Sequence, residues 1–374
     1  MDRNADVAVV GGGIAGLAFA YMALKKGLRV VLFEREHFAV GASVRNFGMV
    51  WPVGQEPQGG LDRAMRSLGH WKEIAEDGGI WYNPNGSLHL AYEDDEQAVL
   101  EEFVAAYRDF EYDVKMISPT DAVHRSPIIR KSGLKCALWS STETIVYSRE
   151  AIRRIPEWLE AKFGLIRRFG QVVTEIQLPT VKTPRESWQV GRAVICSGSD
   201  FETLYPEHYA KLEMTKCKLQ MLKVVPNQPV KMGPSLCAGL TLRHYAAFSK
   251  CPSLRLVDRR FDQLDARLKK FGIHILVSQN HLGELIVGDS HQYYSTVEPF
   301  DLEEINELII QYFTQFVDLS GFKITERWHG VYPKLAGQLH SISEPAAGVQ
   351  VVNGLGGAGM TLSFGLAEEV VGAW

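Results

Sequence analysis

The sequence predicts an α/β fold in which a parallel-stranded domain is interleaved with a second, mostly antiparallel α+β domain. Three observations predict it: a β-α-β unit near the N-terminus, a strand-rich middle, and a second strand, glycine turn and helix at the C-terminus. Asp6 to Val10 is a short apolar strand, Gly11 to Gly16 turns it, and Leu17 to Lys26 reads as a helix with a basic end. Gly27 stops that helix, and Leu28 to Glu34 is an apolar run of the kind found in buried parallel strands. Leu61 to Ala75 reads as helix, and Ile80 to Ala91 alternates as strand around the turn Asn83-Pro84-Asn85-Gly86. Glu93-Asp94-Asp95-Glu96 reads as the acidic first turn of a solvated helix rather than a metal site, because carboxylates complement the positive end of a helix dipole. Helical patterning returns at Arg149 to Phe163, and strands are expected at Gln171 to Ile176 and Ala193 to Cys196. From Lys216 to Asp289 the chain is strand-rich, and Asp301 is the expected N-cap of a helix reaching Leu319. The first domain is therefore discontinuous, over 1–80, 145–215 and 326–374, with 81–144 and 216–325 forming the second.

At 374 residues the chain can bury the core of one large or two closely packed domains. Hydrophobic content of 46% and charged content of 22% are those of a soluble globular protein. A formal net charge of -4 offers no polyanion-binding surface, so nucleic acid is not an expected partner. Cys136, Cys196, Cys217, Cys237 and Cys251 are scattered without a CxxC pair, which reads as reduced thiols and no metal. Residues 1–6 are polar and run straight into a strand, and no apolar run approaches the ~20 residues a spanning helix needs. The expectation is a cytoplasmic protein without a membrane anchor.

Gly11-Gly12-Gly13-Ile14-Ala15-Gly16 supplies G-x-G-x-x-G between strand and helix. Gly11 permits the tight turn, Gly13 the approach of a pyrophosphate, and Gly16 the packing of helix on sheet. Ile14 and Ala15 open the helix, whose free amides and dipole favour phosphate. Glu34, followed by Arg35, stands where an acid binds ribose hydroxyls. NAD would satisfy this pattern as well as FAD. The C-terminal run Val351 to Ser363, with Gly354, Gly356, Gly357, Ala358, Gly359, Met360 and Thr361 before the helix Phe364 to Val371, forms a second anion cradle. Such a cradle would stabilise negative charge on a reduced flavin, which selects FAD.

These stretches, with Gly41-Ala42-Ser43, Gly48-Met49 and the strand into Cys196-Ser197-Gly198, resemble the D-amino acid oxidase, glycine oxidase and sarcosine oxidase superfamily along essentially the whole chain. The resemblance implies a Rossmann-like FAD domain. It also implies Ala42, Ser43, Asn46, Gly48 and Met49 along the flavin, with Ser43 near the pyrophosphate. Val173 falls near the adenine, a slip to Val172 being open, and Ser197, Gly198 and Gly330 complete the cofactor contacts. FAD is expected to be non-covalent, since no cysteine follows the Tyr332 stretch where sarcosine oxidases attach it.

Amino-acid-oxidising members commonly carry W-x-G-x-R-P, whose arginine binds the substrate carboxylate. The matching stretch here is Trp328-His329-Gly330-Val331-Tyr332-Pro333, and a tyrosine hydroxyl does not replace a guanidinium fork. Residues 41–49, 217–221, 239–245 and 288–291, with the Trp328 stretch, resemble a subgroup associated with phosphonate catabolism. That resemblance implies an aminophosphonate substrate, 2-aminoethylphosphonate or its N-methyl derivative, oxidised by hydride transfer to an imine and then an aldehyde. Arg243, Tyr245, Tyr332, Lys334 and Arg45 are the candidate substrate-binding residues, and Tyr332, His244 and Met49 the candidate catalytic positions. For Lys334 and His291 a surface or packing role weighs more heavily than for Arg243. The rival readings are an oxidase of a secondary or D-amino acid and a flavin-binding subunit without chemistry of its own. The acceptor, O2 or another, and an oligomeric state stay open.

Overall fold

The computed structural model describes residues 3–108, 110 and 112–374. Five parallel strands form the centre of its eight-stranded first sheet, in the order Ile166–Phe169, Val30–Glu34, Asn4–Val10, Ser187–Ile195 and Val349–Asn353, with the antiparallel strands Glu175–Gln177, Thr180–Lys182 and Ser341–Ala346 added at its margins. The apolar runs are buried on both faces, and alternation decides which residue meets which layer. Val7, Val9, Val30 and Leu32 face a helical layer together with Leu17, Trp71 and Phe364. Ala8, Val31 and Phe33 face the opposite layer with Trp188 and Tyr209. The helices Ile14–Lys25, Asp62–Gly78, Ser148–Phe163 and Gly359–Gly372 supply the first layer. Trp71 locks two of them by donating its indole N–H to Met360 O at 2.8 Å.

The second sheet runs Phe322–Leu335, Met214–Pro226, Leu285–Gly288, Leu276–Gln279, Ser235–Ala238, Ser87–Ala91, Cys136–Ser140 and Val114–Ile117, antiparallel except where Ser235–Ala238 meets Ser87–Ala91. The short strand Gln292–Tyr294 pairs beside the start of Met214–Pro226. Period-two alternation again sorts the side chains. Cys217, Leu219 and Met221 share a small apolar cluster with Tyr332. The intervening Lys218 and Gln220 turn the other way, to Asp301 and Asn306 at the helix Glu303–Phe316.

Several sequence expectations are corrected. Asp301 does not cap its helix, which begins at Glu303 after Leu302; its carboxylate is taken by Lys218 at 2.8 Å and His329 at 2.9 Å. Gln171–Thr174 is not strand: Gln171 N donates to Glu34 O, so the chain crosses the end of Val30–Glu34 before pairing resumes at Glu175–Gln177. The strand-rich middle also contains the helices Leu254–Leu264 and Ala266–Lys270. The boundary at 326 falls inside Phe322–Leu335, all of which belongs to the second sheet. The acidic segment does open a helix, Asp94–Tyr107, with Glu93 and Glu96 forming a reciprocal capping box. All five cysteines are buried free thiols.

Candidate functional site

Asn4–Val10 ends at Gly11, whose φ of +106° is in the left-handed region. A Cβ on Gly11 would lie 2.2 Å from Cys196 O, and one on Gly16 would lie 1.8 Å from Gly11 O. Turn, helix and neighbouring strand are thus pressed together where only hydrogen fits. Ile14 N donates to Ser43 Oγ at 2.9 Å. Gly12 N and Glu36 N donate to the two oxygens of Glu34 at 2.8 and 3.0 Å, fixing that carboxylate at the end of its strand. Around these groups lies a cleft of about 320 Å³, lined also by Ala15, Arg35, Val172, Val173, Ser197 and Gly198. Arg35 is ion-paired with Asp200, another lining residue.

A second cavity of about 230 Å³ adjoins the first, and Ile14, Ala42, Ser43, Tyr332, Leu355, Gly356 and Gly359 line both. The strand Val349–Asn353 delivers its floor, Gly354 to Thr361. Cβ atoms on Gly356 and Gly357 would come within 3.9 and 3.6 Å of Tyr332, so side chains there would enter the space beneath that ring. The helix Gly359–Gly372 starts at this point without a side-chain cap, which leaves its first amides to a ligand. The sheet supplies the roof. Leu219 and Met221 lie on one strand, and Gly330, Tyr332 and Lys334 lie at alternate positions on its partner.

Two adjoining cavities, two glycine turns each opening a helix, and a fixed carboxylate at the far end fit an elongated dinucleotide with a planar ring at one end. A family model described as DAO, FAD dependent oxidoreductase, matches residues 6–373. The chain belongs to this family of FAD-dependent oxidoreductases. It is 30% identical over 149 residues to the FAD-dependent oxidoreductase domain-containing protein 1 of Bos taurus, a match covering 36% of this chain and 30% of the relative. The match therefore spans less than a third of that relative's length. Among solved structures it is similar to L-proline dehydrogenase from P. horikoshii, with a TM-score of 0.81 at 19% identity, covering 99% of this chain and 93% of that one. Glycine oxidase from Geobacillus kaustophilus gives a TM-score of 0.78 at 18% identity, covering 99% and 94%.

The structure brings Arg45, Asn46, Met49, His244, Tyr245, Tyr332, Lys334, Gly330 and the Gly354–Thr361 turn to the second cavity. Three expected residues lie outside both cavities. Gly16 and Gly48 are packing positions; a Cβ on Gly48 would lie 1.9 Å from Val146 O. Arg243 is the larger correction. Its guanidinium is held by Asp258 at 2.6 Å and Asp262 at 2.8 Å, so it is already neutralised and turned away from the cavity. Thr361 has a structural task as well, its hydroxyl accepting from Trp51 N at 2.9 Å.

Sequence reasoning missed His274 and Asp289 and undervalued His291, all of which line the second cavity. Leu276–Gln279 and Leu285–Gly288 pair antiparallel in a register that, extended, would set Ile275 opposite Asp289; a one-residue shift beyond Gly288 pairs His274 with Asp289 instead, by backbone bonds of 3.1 and 2.6 Å. Burial pushes His244 well below the usual histidine range, His274, His291 and Lys334 adding to it. Burial also lowers His291 to about 4, with Asp289 opposing. His244 has appreciable free surface although protein encloses it, because that surface belongs to the cavity wall. Burial raises the hydroxyls of Tyr245 and Tyr332 far above their ordinary value, which keeps both as hydrogen-bond donors. Among the described residues no helix is long and apolar enough to cross a membrane.

Proposed function

We propose that this chain oxidises a small amine that carries an oxyanion, of the aminophosphonate class, with 2-aminoethylphosphonate and its N-methyl derivative as the preferred substrates. One observation carries the reading. At the position where the amino-acid-oxidising pattern has arginine, Tyr332 stands in the cavity wall with Lys334 two residues on. Among the described residues the sole arginine lining this cavity is Arg45, and it already donates to Val40 O at 2.8 Å and His329 O at 3.0 Å. A planar carboxylate would find no free fork, whereas a tetrahedral anion can spread its oxygens over separate hydroxyl, imidazole and ammonium donors. The solved structures of similar fold include two named for amine-bearing amino acids, proline and glycine, which supports amine oxidation as the reaction type.

FAD, when bound, supplies the hydride acceptor. The chain's own task is to hold the amine-bearing carbon over the Gly354–Thr361 floor, bind the anion on the sheet side, and exclude water with Phe47, Trp51 and Leu219. Loss of hydride from that carbon leaves an imine, which water converts to an aldehyde. We place the amine-binding region on the second sheet and the FAD region on the first, with Phe322–Leu335 running past both.

Anaerobic mixing with a stopped-flow absorbance readout tests the assignment. 2-Aminoethylphosphonate or its N-methyl form should reduce the flavin at least ~100-fold more efficiently than glycine, sarcosine or D-alanine, a gap of about 2.7 kcal/mol. Equal or faster reduction by an amino acid would transfer the assignment to amino acid oxidation. Absence of bleaching by every amine would make the chain a flavin-binding subunit.

A further inference from the structure

We propose that His244, His274 and His291, gathered beside Asp289, form the subsite that holds the substrate's oxyanion, with one imidazole protonated in the complex. The proposal rests on the reading above only in placing an anion on the substrate. The three rings form a close triangle in the wall shared with Tyr332 and Lys334. Ring centroids of His244 and His274 are 3.9 Å apart at 20°, those of His244 and His291 4.4 Å, and those of His274 and His291 4.9 Å. No catalytic step described so far uses them, and the two buried imidazoles, His274 and His291, are costly to keep without a partner.

Hydrogen-bond accounting says what they lack. His291 Nδ1 lies 3.2 Å from Gly272 O, and a carbonyl can only accept, so the proton is on Nδ1 and the neutral ring offers a bare Nε2. His274 Nε2 lies 2.8 Å from Asp289 Oδ1, close but off the hydrogen-bond line, while its buried Nδ1 has no partner among the described residues. Neutral, these rings present acceptors to the cavity. An oxyanion needs donors, and one added proton converts a ring from acceptor to donor while supplying charge. Asp289 stands ready to stabilise that imidazolium, at 2.8 Å from His274 and 3.6 Å from His291.

The other groups facing the triangle agree with an anion. Lys334 forms no ion pair among the described residues, and Tyr245 and Tyr332 contribute hydroxyl donors. Cys217, packed behind Tyr332, is held as a neutral thiol by burial. A metal ion suits the arrangement less well. Tetrahedral zinc needs nitrogens converging at ~2.0–2.1 Å on one point. The ligand nitrogens of the three rings lie within 4.8 Å of one another, whereas nitrogens at that bond length around one tetrahedral ion would stand about 3.4 Å apart. The ammonium of Lys334 would also oppose a cation.

The test uses FAD-loaded protein and two amine-free probes, sulfate and methylphosphonate, titrated by calorimetry between pH 6.5 and 8.5 in buffers of different ionisation enthalpy. Sulfate keeps its charge over this range, so any pH dependence belongs to the protein. Both probes should compete with 2-aminoethylphosphonate. Sulfate affinity should rise as pH falls, by about tenfold per unit, with close to one proton taken up from solvent. His291→Gln should lower sulfate affinity at least tenfold at pH 6.5 and flatten the pH profile. His274→Gln should do the same, with FAD content and flavin spectrum reporting whether each variant is folded. Binding of sulfate that is independent of pH, or unchanged in both folded variants, overturns the subsite. If the wild type is still reduced by 2-aminoethylphosphonate, that result leaves amine oxidation standing. Proton-linked sulfate binding without such reduction confirms the subsite and overturns the substrate assignment instead.

Discussion

The cleft at the Gly11 turn and the cavity beneath Tyr332 share a wall but are made of different material. The first is mostly backbone: amides of residues 12–14, glycines where a side chain would strike a carbonyl, and one carboxylate at the end of the next strand. The second is mostly side chain, collected from strands and turns more than two hundred residues apart in sequence, such as Met49, His291 and Tyr332. Backbone sites are specified by where side chains are absent, and side-chain sites by the register of a sheet. The two should therefore fail in different ways.

The backbone-built region should break under a change of shape alone. Gly16→Val places carbon against Gly11 O, where both partners are main chain and neither can rotate aside. The expected result is a loss of ~3 kcal/mol or more in stability and a colourless protein, read by thermal denaturation and by FAD absorbance. A yellow variant with wild-type melting would mean that the turn is not tightly packed. Glu34→Ala is milder. It removes a charged acceptor held by two amides and should weaken FAD binding by about ten- to a hundredfold, measured by fluorescence titration of the apoprotein. Unchanged FAD affinity would remove Glu34 from the cofactor site.

The side-chain-built region should instead respond to charge and pH. His89 lies behind the cavity, packed against Trp51 and Phe248, fully buried and with neither ring nitrogen hydrogen-bonded among the described residues. Burial alone pushes its pKa down to about 3. Because the folded value lies below the unfolded one, near 6.5, the unfolded chain binds more protons and stability falls with acidification. The loss begins near pH 6.5 and continues towards pH 3, amounting to about 2 kcal/mol between pH 7 and pH 5 from this group. His89→Leu should remove that part of the acid sensitivity and, by deleting two unpaired polar atoms, leave stability at pH 7 unchanged or higher. Denaturant melts at pH 7 and pH 5 decide it. An equal fall in wild type and variant would show that His89 is not the titrating group.

The same division explains what could be read from the amino-acid sequence. The G-x-G-x-x-G turn, Glu34 and the glycine run after Asn353 announce themselves by spacing within one stretch of chain, and Gly11, Gly13, Glu34 and residues from Gly354 to Thr361 line the cavities. Gly16 and Gly48 were legible as required glycines, though what requires them is packing rather than contact with a ligand. Gln171–Thr174 escaped because an apolar pair, Val172 and Val173, reads as strand when it is in fact a crossing segment, anchored by backbone bonds from Gly170 to Glu36 and from Gln171 to Glu34. His274 and Asp289 escaped because they meet only through a one-residue shift at the end of the hairpin, which its regular alternation does not announce.

Arg243 is the sharpest case, since it neighbours His244 and Tyr245 in sequence, and both of these line the cavity. The 3-10 turn Gly239–Arg243 ends there, so successive side chains point in different directions and adjacency does not imply a shared site. The helix Leu254–Leu264 presents Asp258 and Asp262, one turn apart, and together they claim both edges of the guanidinium. Arg243→Gln should accordingly leave the KM and kcat of amine oxidation within twofold of wild type. Its cost should be confined to stability and amount to about 1 kcal/mol or less, because the aspartates are partly exposed and solvent screens the pair. The measurement is steady-state kinetics beside a denaturant melt of the same preparation. A tenfold rise in KM with unchanged melting would return Arg243 to the substrate site and erase the distinction between sequence neighbours and cavity neighbours drawn here.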